Sequence, residues 1–352
     1  MTERWVMARP TPQRRVTIID VARHAEVSTT AVSKVLRNAY GTSPAMREKV
    51  HRAIADLGYR PSAAARGLRG QTYTLGVMVP DIANPFFPEI LNGVTASLGN
   101  TDYQVLLAPG CAGEHAEART IESMIDRSMD GIILIAPVSP RAHLEHIAGI
   151  IPTVIVGRHA RSTIFDTVAD DDIAGAALVV DHLVGLGHRR IAHIEHLETE
   201  PSCIEEMPNM IRAEGYRLAM RGHGLDAEID IASKTYTREG GYTGARELLN
   251  RKRLPTAIFA GADIAAMGVL DAVAEAGLSV PGDISVAGYD NTTFAAFSQV
   301  SLTSVDQAGW QIGADAARLL LERIADRTRR SAQVKLSPTL VVRNTTAPPP
   351  AR

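Results

Sequence analysis

Apolar and polar positions near the start of the chain repeat with the period of two short amphipathic helices. Thr17 stands three residues before Asp20, which is the spacing of a capping side chain and an acid at the positive end of a helix. After a short turn, Ser28 is a good cap for a second helix, whose apolar positions are spaced i, i+3 and i+4 from Val32. The pattern predicts a helix, a tight turn and a helix.

A third helix and one polar helix face complete this N-terminal unit. Ser43 followed by Pro44 is the favoured order at a helix start, and Gly58 suits the position that ends a helix. On the second helix, the face opposite the apolar stripe carries Thr29, Thr30, Ser33, Lys34 and Arg37. This face holds only hydrogen-bonding and cationic side chains. Three helices that enclose a small core and present such a face are typical of a DNA-reading head.

Beyond this unit the pattern changes to β-rich runs that alternate with helix-length segments. The runs are YTLGVMVP, YQVLLAP, GIILIAP and TVIVGR, and later IAHIEH, AIFAG and ISVAGYD. Such alternation predicts parallel sheets covered by helices on both sides. A head of about 60 residues leaves roughly 280 for the rest, and one core does not usually support that many, so we expect a body of two lobes.

Charge divides along the same boundary. Residues 1–70 hold 13 of the 37 Lys and Arg and 5 of the 39 Asp and Glu, so this part carries a net charge of +8 and the remainder −10. A basic head on an acidic body is typical of a protein that neutralises DNA phosphates with one domain. The alternative is a solvated basic tail, which the helical pattern disfavours.

The stretches TIIDVARHAEVSTTAVSKVLRN and SPAMREKVHRAIADLGYRPSAAARGLRG closely resemble the DNA-binding head and hinge of the lactose-repressor/galactose-repressor (LacI/GalR) family of bacterial transcription regulators. The resemblance covers about residues 16–346 and implies a periplasmic-binding-protein-like body. It also implies that the second helix enters the major groove of DNA. The DNA-binding residues that it implies are Thr17, Ser28, Thr29, Thr30, Ser33, Lys34 and Arg37 in the head, and Ser62, Ala65, Leu68 and Arg69 in the hinge.

Leu68 carries the most specific expectation for the hinge. It matches the family's leucine that wedges into the minor groove at the operator centre when the hinge is helical, and such wedges kink the duplex. The bare sequence is equally compatible with a linker residue that packs on the body.

The resemblance implies a fold class and domain boundaries. The fold is an N-terminal all-α helix-turn-helix head with a hinge helix, followed by an α/β periplasmic-binding-protein-like body of two parallel-sheet lobes. We expect an unstructured extension at 1–16, the helix-turn-helix domain at 17–61, the hinge helix and linker at 62–71, the body at 72–346 and a tail at 347–352. The first lobe is expected at about 72–166 and 308–335, and the second at about 167–305 and 336–346.

Polar and aromatic residues follow several of the strands, at the strand ends where ligands of such folds bind. Phe86 and Phe87 are either core residues of a starting helix or cleft residues, and an aspartate such as Asp290 is often only a helix cap. A lone arginine such as Arg158 is more often a surface charge. By resemblance, the ligand-binding residues are Asn84, Phe86, Phe87, Arg158, Arg212, Tyr236, Asp263, Asp290 and Gln307. The planar fork of Arg212 suits paired hydroxyls or a carboxylate.

Three departures from the family pattern prevent transfer of a ligand identity. Many relatives carry Asn-Asp after the strand that matches AIFAG, whereas this chain has Ala262 and Asp263. The usual Asp-Asn pair before a later helix is Asp171-Asp172 here, and the segment PSCIEEMPNMI before Arg212 lacks the usual small polar residues.

Enzyme and cofactor motifs are weak or missing in the sequence. It contains neither a G-x-x-x-x-G-K-[ST] phosphate loop nor a G-x-S-x-G nucleophile elbow, and the GxG fragment at Gly185 is a helix stop. His188, His193 and His196 cross the start of a strand, a spacing that disfavours a metal site. Two cysteines, Cys111 and Cys203, form no metal-type spacing. We therefore expect no cofactor, no metal and no enzymatic activity.

These observations predict a homodimeric, ligand-regulated transcription factor. A two-fold dimer on a palindromic operator in double-stranded DNA is expected because one head reads one half-site. Repression by a protein that responds to a small polar effector, such as a sugar, is what the family implies. The absence of an apolar run of 18 residues and of a signal peptide favours a cytoplasmic protein with no membrane contact. The alternatives are a solute-binding protein of transport type and an enzyme on the same scaffold.

Overall fold

The computed structural model describes residues 16–36, 39–59, 71–110, 113–197 and 206–351. They form two compact units, a head and a body, which divide after Thr72. The predicted hinge helix, with Ser62, Ala65, Leu68 and Arg69, lies outside the described residues. Arg37 and the N-terminal extension through residue 15 also lie outside them.

The head consists of the three predicted helices, α1 (Ile18–His24), α2 (Thr29–Leu36) and α3 (Pro44–Leu57). Its core contains Val21, Ala22, Ala25, Val32, Val35, Val50, Ala53 and Tyr59. The turn between α1 and α2 places Glu26 in the left-handed region, at a φ of 54°. Such a turn brings the apolar faces of two short helices together on α3.

Local capping fixes where the head helices begin. The carboxylate of Asp20 accepts hydrogen bonds from the backbone N–H of Thr17 at 2.9 Å and from its hydroxyl at 2.7 Å. Ser28 accepts from the N–H of Ala31, and Ser43 accepts from an N–H in the first turn of α3. Each capped N–H is one that the helix itself leaves without a partner.

The body alternates strands and helices along the chain. In order, it contains β1 (Thr74–Val79), α4 (Phe86–Leu98), β2 (Gln104–Pro109), α5 (Glu114–Asp126), β3 (Gly131–Ile135), α6 (Arg141–Ile150), β4 (Thr153–Val156), β5 (Asp166–Asp170), α7 (Asp172–Gly185), β6 (Ile191–His196), α8 (Pro208–Gly222), β7 (Asp230–Lys234), α9 (Arg238–Leu249), β8 (Ala257–Ala260), α10 (Asp263–Glu275), β9 (Ser285–Tyr289), β10 (Thr303–Asp306), α11 (Gly309–Ala325), β11 (Gln333–Leu336) and β12 (Thr339–Val341). In the part of the chain that the structure describes, no helix is long and apolar enough to cross a membrane.

These strands form two six-stranded sheets, one in each lobe. The order is β11-β5-β4-β3-β1-β2 in the first lobe and β12-β10-β9-β8-β6-β7 in the second. All neighbours are parallel except β10 and β12, which are antiparallel. The central strands β3 and β4 are buried along their whole length, which agrees with their continuous apolar runs.

Helices α4 and α11 pack almost backbone to backbone on the first sheet. A Cβ atom added at Gly93 would lie 1.9 Å from the carbonyl oxygen of Trp310, and one added at Gly313 would lie 1.9 Å from the carbonyl oxygen of Ile90. Only glycine allows this approach. Helix α4 begins at Phe86. The contact with α11 holds this first turn of α4 at the carboxyl end of the sheet.

Strands and hydrogen bonds of the body cross three of the approximate predicted boundaries. The first lobe extends to Asp170 rather than 166, because β5 pairs with β4 and β11. It also includes Leu336, the last residue of β11. Ala347, the first residue of the predicted tail, is hydrogen-bonded through its backbone to Ser285, and its carbonyl oxygen lies 2.8 Å from Nε2 of His188.

Candidate functional site

One face of α2 carries the predicted DNA-reading side chains. Thr29, Thr30 and Lys34 are exposed, whereas Val32 and Val35 on the opposite face are buried. Ser28 is exposed and caps the helix, and Ser33 is half-buried. Thr17 is half-buried at the start of α1. The exposed side chains therefore present two hydroxyls and one cation within about one and a half turns of α2. Such groups can form hydrogen bonds with base edges in the major groove.

A cavity of about 490 Å³ lies between the two lobes of the body. Seven of the nine predicted ligand residues line it, and they are Asn84, Phe86, Phe87, Arg212, Tyr236, Asp290 and Gln307. They come from the carboxyl ends of strands and from the crossing between the lobes. The size falls within the usual range of small-molecule sites.

Two buried polar atoms of this cavity lining have no hydrogen-bond partner among the described residues, the hydroxyl of Tyr236 and Oδ2 of Asp290. Oδ1 of Asp290 accepts a 2.6 Å hydrogen bond from Nε2 of Gln307. Burial, and then the nearby carboxylate of Asp263, raise the pKa of Asp290. This favours the neutral acid, which can donate as well as accept. Burial also raises the pKa of Tyr236, so its phenol keeps the proton that it can donate.

The backbone at this lining is strained at two positions. Asp290 has a φ of 111° and Ala136 a φ of 44°, and neither is a glycine. Both residues line the cavity, one in each lobe. Such conformations cost free energy and persist where the surrounding structure imposes them, which is common at ligand sites.

Arg212 lines the cavity, but most of its donors already have partners. Its Nε and Nη2 donate to Oδ1 of Asp172 at 3.0 and 2.7 Å, and Nη1 donates to the carbonyl oxygen of Gly261. Its guanidinium also lies 3.5 Å from the ring centroid of Tyr289. The charge of Arg212 is therefore neutralised by a buried carboxylate. Asp172 is one of the departures from the family pattern, and an asparagine there would not supply that charge.

The first lobe contributes its predicted residues through the start of α4. The side-chain oxygen of Asn84 accepts from the N–H of Phe86 at 3.0 Å, which fixes the turn before the helix. The rings of Phe86 and Phe87 are tilted at 56° with centroids 6.0 Å apart. Phe86 is also part of the core of the first lobe, whereas Phe87 is only partly buried against it. The two sequence-based alternatives, core and cleft, are thus both realised.

Comparison with known proteins gives two family matches and relatives along nearly the whole chain. Residues 17–62 match the family of bacterial regulatory proteins of the lacI type, and residues 180–346 match the periplasmic binding protein-like domain. The ribose operon repressor of Escherichia coli K12 is 34% identical over 331 residues, which cover 93% of this chain and 98% of the relative. The chain belongs to the LacI family of bacterial regulatory proteins. It is a DNA-binding transcriptional regulator.

Solved structures of LacI-family members have the same fold. The lac repressor dimer bound to operator and the anti-inducer ONPF is similar, with a TM-score of 0.80 and 25% identity over 95% of this chain and 100% of that one. The transcriptional regulator CelR in complex with cellobiose is 29% identical, with a TM-score of 0.69 over 94% of this chain and 100% of that one. The predicted fold class of a helix-turn-helix head and a two-lobed body is confirmed.

Arg158 is a predicted ligand residue of this LacI-family chain that does not line the cavity. Its side chain is fully buried away from the cavity lining, and Nε donates to Glu206 at 2.9 Å. Its Nη1 donates to the carbonyl oxygens of Pro137 and Ser139. Because Glu206 precedes α8 of the second lobe, Arg158 joins the two lobes.

Asp263, another predicted ligand residue, also lies outside the cavity lining. Its Oδ2 accepts from the N–H of Thr292 at 2.7 Å, and Oδ1 accepts from the hydroxyl of Ser304 at 2.6 Å. Both carboxylate oxygens are thus engaged inside the second lobe. These hydrogen bonds join the start of α10 to the loop that follows Asp290 and to β10.

Several lining residues were missed from the sequence, and they are His196, Asn209, Thr235, Thr237 and Glu117. Asn209 was detectable, because it stands three residues before Arg212 and therefore shares its helix face. His196 ends β6, and its Nδ1 accepts from the N–H of Tyr236 at 2.9 Å. Glu117 lies within α5, so no strand end signals it.

Proposed function

We propose that this regulator is a repressor whose affinity for a palindromic operator is controlled by a small polar effector, such as a sugar, bound between the body lobes. The observation that carries the proposal is the pair of buried polar atoms, the Tyr236 hydroxyl and Asp290 Oδ2, that have no described partner in the cavity lining. A buried polar atom without a partner costs free energy, and a bound hydroxyl would satisfy both. Relatives named as a ribose operon repressor and as a complex with cellobiose support a sugar.

DNA binding is proposed to rest on the exposed face of α2. Thr29, Thr30 and Lys34 are assigned to base edges or phosphates of one half-site, with Ser28, Ser33 and Arg37 beside them. A homodimer would present two such helices to a two-fold operator, as the lac repressor dimer bound to operator suggests. In the hinge, Leu68 is assigned to the minor-groove wedge, with Ser62, Ala65 and Arg69 around it.

The effector is proposed to act by differential binding. It can change operator affinity only if it binds one conformation of the body better than another, and contacts to both lobes provide that difference. The protein would act by binding rather than by catalysis, and in the cytoplasm, where chromosomal DNA lies.

A gel shift with DNA from upstream of the protein's own gene tests the proposal. We expect a specific complex that a sugar from a screened panel weakens or strengthens. Asp290→Asn and Tyr236→Phe should bind the same DNA and lose most of the response to the sugar. A protein of transport type would bind sugar without a specific DNA complex, and that result would contradict the proposal.

A further inference from the structure

The two sides of the cavity differ in chemistry. The side formed by the first lobe is broad and apolar, with side chains from the ends of β1, β3 and β4 and from α4 and α11, namely Met78, Phe86, Phe87, Ile135, Val156 and Ile312. The side formed by the second lobe carries most of the polar groups, including Asn209, Arg212, Tyr236 and Asp290. A ligand that contacts both sides therefore meets apolar surface on the first lobe and hydrogen-bonding groups on the second.

Several side-chain oxygens on the apolar side already accept hydrogen bonds from backbone N–H groups. Oδ1 of Asp81 accepts from the N–H of Ala83 at 2.8 Å, and Asn84 accepts from Phe86 as described above. The two carboxylate oxygens of Glu117 accept from the N–H groups of Val138 and Ser139 at 2.9 and 2.8 Å. A ligand hydroxyl on this side would give up water for a mainly apolar surface, which costs free energy.

The polar side, in turn, suits a neutral hydroxylated group. The Arg212 charge is matched by Asp172, so an anionic group would gain little from it. The Tyr236 hydroxyl and Oδ2 of Asp290 are buried polar atoms with no partner among the described residues, and a ligand hydroxyl can both donate to and accept from such groups. Ala262, which also lines the cavity, offers no polar side-chain atom.

We propose that the effector is amphipathic: a neutral hydroxylated ring that binds Tyr236 and Asp290 and carries an aromatic substituent that packs on Phe87 and the neighbouring apolar side chains of the first lobe. Its chemical class is that of glycosides with an aromatic aglycone. This inference rests on the proposed function, because it specifies the ligand of the same cavity. Burial of the aromatic substituent would then contribute to affinity by the hydrophobic effect.

Calorimetry with matched pairs of ligands tests whether the effector is amphipathic. The full-length protein is titrated with the methyl and the phenyl β-glycosides of glucose, galactose, xylose and ribose. For at least one sugar, we expect the phenyl glycoside to bind at least about tenfold more tightly than the methyl glycoside, as burial of an aromatic ring predicts. Comparing the two glycosides of one sugar isolates the substituent from the hydroxylated ring.

Three variants test which lobe binds the aromatic substituent and which binds the hydroxylated ring. Phe87→Ala should reduce the phenyl-to-methyl affinity ratio to below about threefold, because it removes apolar surface on the first lobe. Asp290→Asn should weaken both glycosides and preserve the ratio. Phe297→Ala removes an exposed phenylalanine outside the cavity lining and serves as the matched control, with the parental ratio.

The outcomes separate the inference from the proposed function. Equal binding of methyl and phenyl glycosides, or no binding by any phenyl glycoside, would overturn the amphipathic effector. If the methyl glycosides nevertheless bind and Asp290→Asn weakens them, the proposed function stands. If ligands bind but neither Asp290→Asn nor Tyr236→Phe changes their affinity, the ligand site lies elsewhere and both proposals are wrong.

Discussion

The two candidate binding regions of this protein are built in opposite ways. In the head, Thr29, Thr30 and Lys34 are exposed on one short helix and support little of its core. In the body, Arg212 and Asp290 are each 4% exposed, and their side chains are held by partners from distant parts of the chain. Substitutions in the head should therefore change binding alone, whereas substitutions around the cavity should change folding and binding together.

Arg212→Ala should give the largest effect and tests the second half of this comparison. It removes the guanidinium that pairs with buried Asp172, and the carboxylate keeps only the His159 imidazole, 2.8 Å from Oδ2, as an ion-pair partner. Loss of one partner of a buried pair typically costs about 3–5 kcal/mol of stability. Urea unfolding of the variant should show this loss. Arg221→Ala, on the same helix but half-exposed, is the matched control and should cost less than about 1 kcal/mol. Similar stabilities for the two variants would show that the buried pair has no such role.

The pH dependence of stability should also depend on a buried histidine of the body, His193. Burial lowers the pKa of His193 from 6.5 to about 3, and its ring packs between those of Tyr216 and Phe259. The folded pKa lies below the unfolded one, so the unfolded state binds the extra proton and stability is lost as pH falls from 6.5 towards 3. The expected slope is about 1.4 kcal/mol per pH unit.

Urea unfolding between pH 7 and pH 5 compares the parent with His193→Gln, which should lack this part of the slope. His24→Gln, at an exposed histidine of the head, is the control and should keep it. If the parent and His193→Gln depend on pH alike, the histidine does not remain neutral in the core.

In the head, Thr29→Ala and Thr30→Ala should change sequence preference without changing stability. Loss of a specific base contact costs about 1–3 kcal/mol at particular base pairs. Gel shifts on a set of operators with single base changes measure this preference. Uniform weakening on every operator would exclude base reading by these threonines, and the same uniform result for Lys34→Ala would assign that lysine to phosphate.

The smallest expected effect concerns a helix cap in the head. Ser43→Ala removes the side chain that accepts from the N–H of Met46 at 3.2 Å, which should cost about 1 kcal/mol. Hydrogen exchange of the α3 amides should become faster, while exchange in the body should not change. Faster exchange in the body as well would show that the two units do not unfold independently.

Most of the fold followed from the sequence, because its signals are local. The caps at Thr17, Ser28 and Ser43 lie within three residues of the groups they bind, and the central strands are continuous apolar runs. The strands that the pattern missed, β5, β7, β10, β11 and β12, are short and mix polar with apolar residues. β7 and β11 lie at sheet edges, where burial is incomplete and the apolar signal is weak.

The sequence by itself therefore determined three features. They are the head with the polar face of α2, the alternation of strands and helices in the body, and the strand ends at which a cavity forms. Only the tertiary structure decided what each side chain at those ends does. Asp172 and Arg212 are 40 residues apart, and Asp263 and Thr292 are 29 apart, so no local pattern records that they meet. The polar groups of Arg158 and Asp263 bind other parts of the protein. In contrast, the hydroxyl of Tyr236 and Oδ2 of Asp290 are buried at the cavity and have no partner among the described residues. That difference depends on which long-range partners reach each group, and only packing determines those partners.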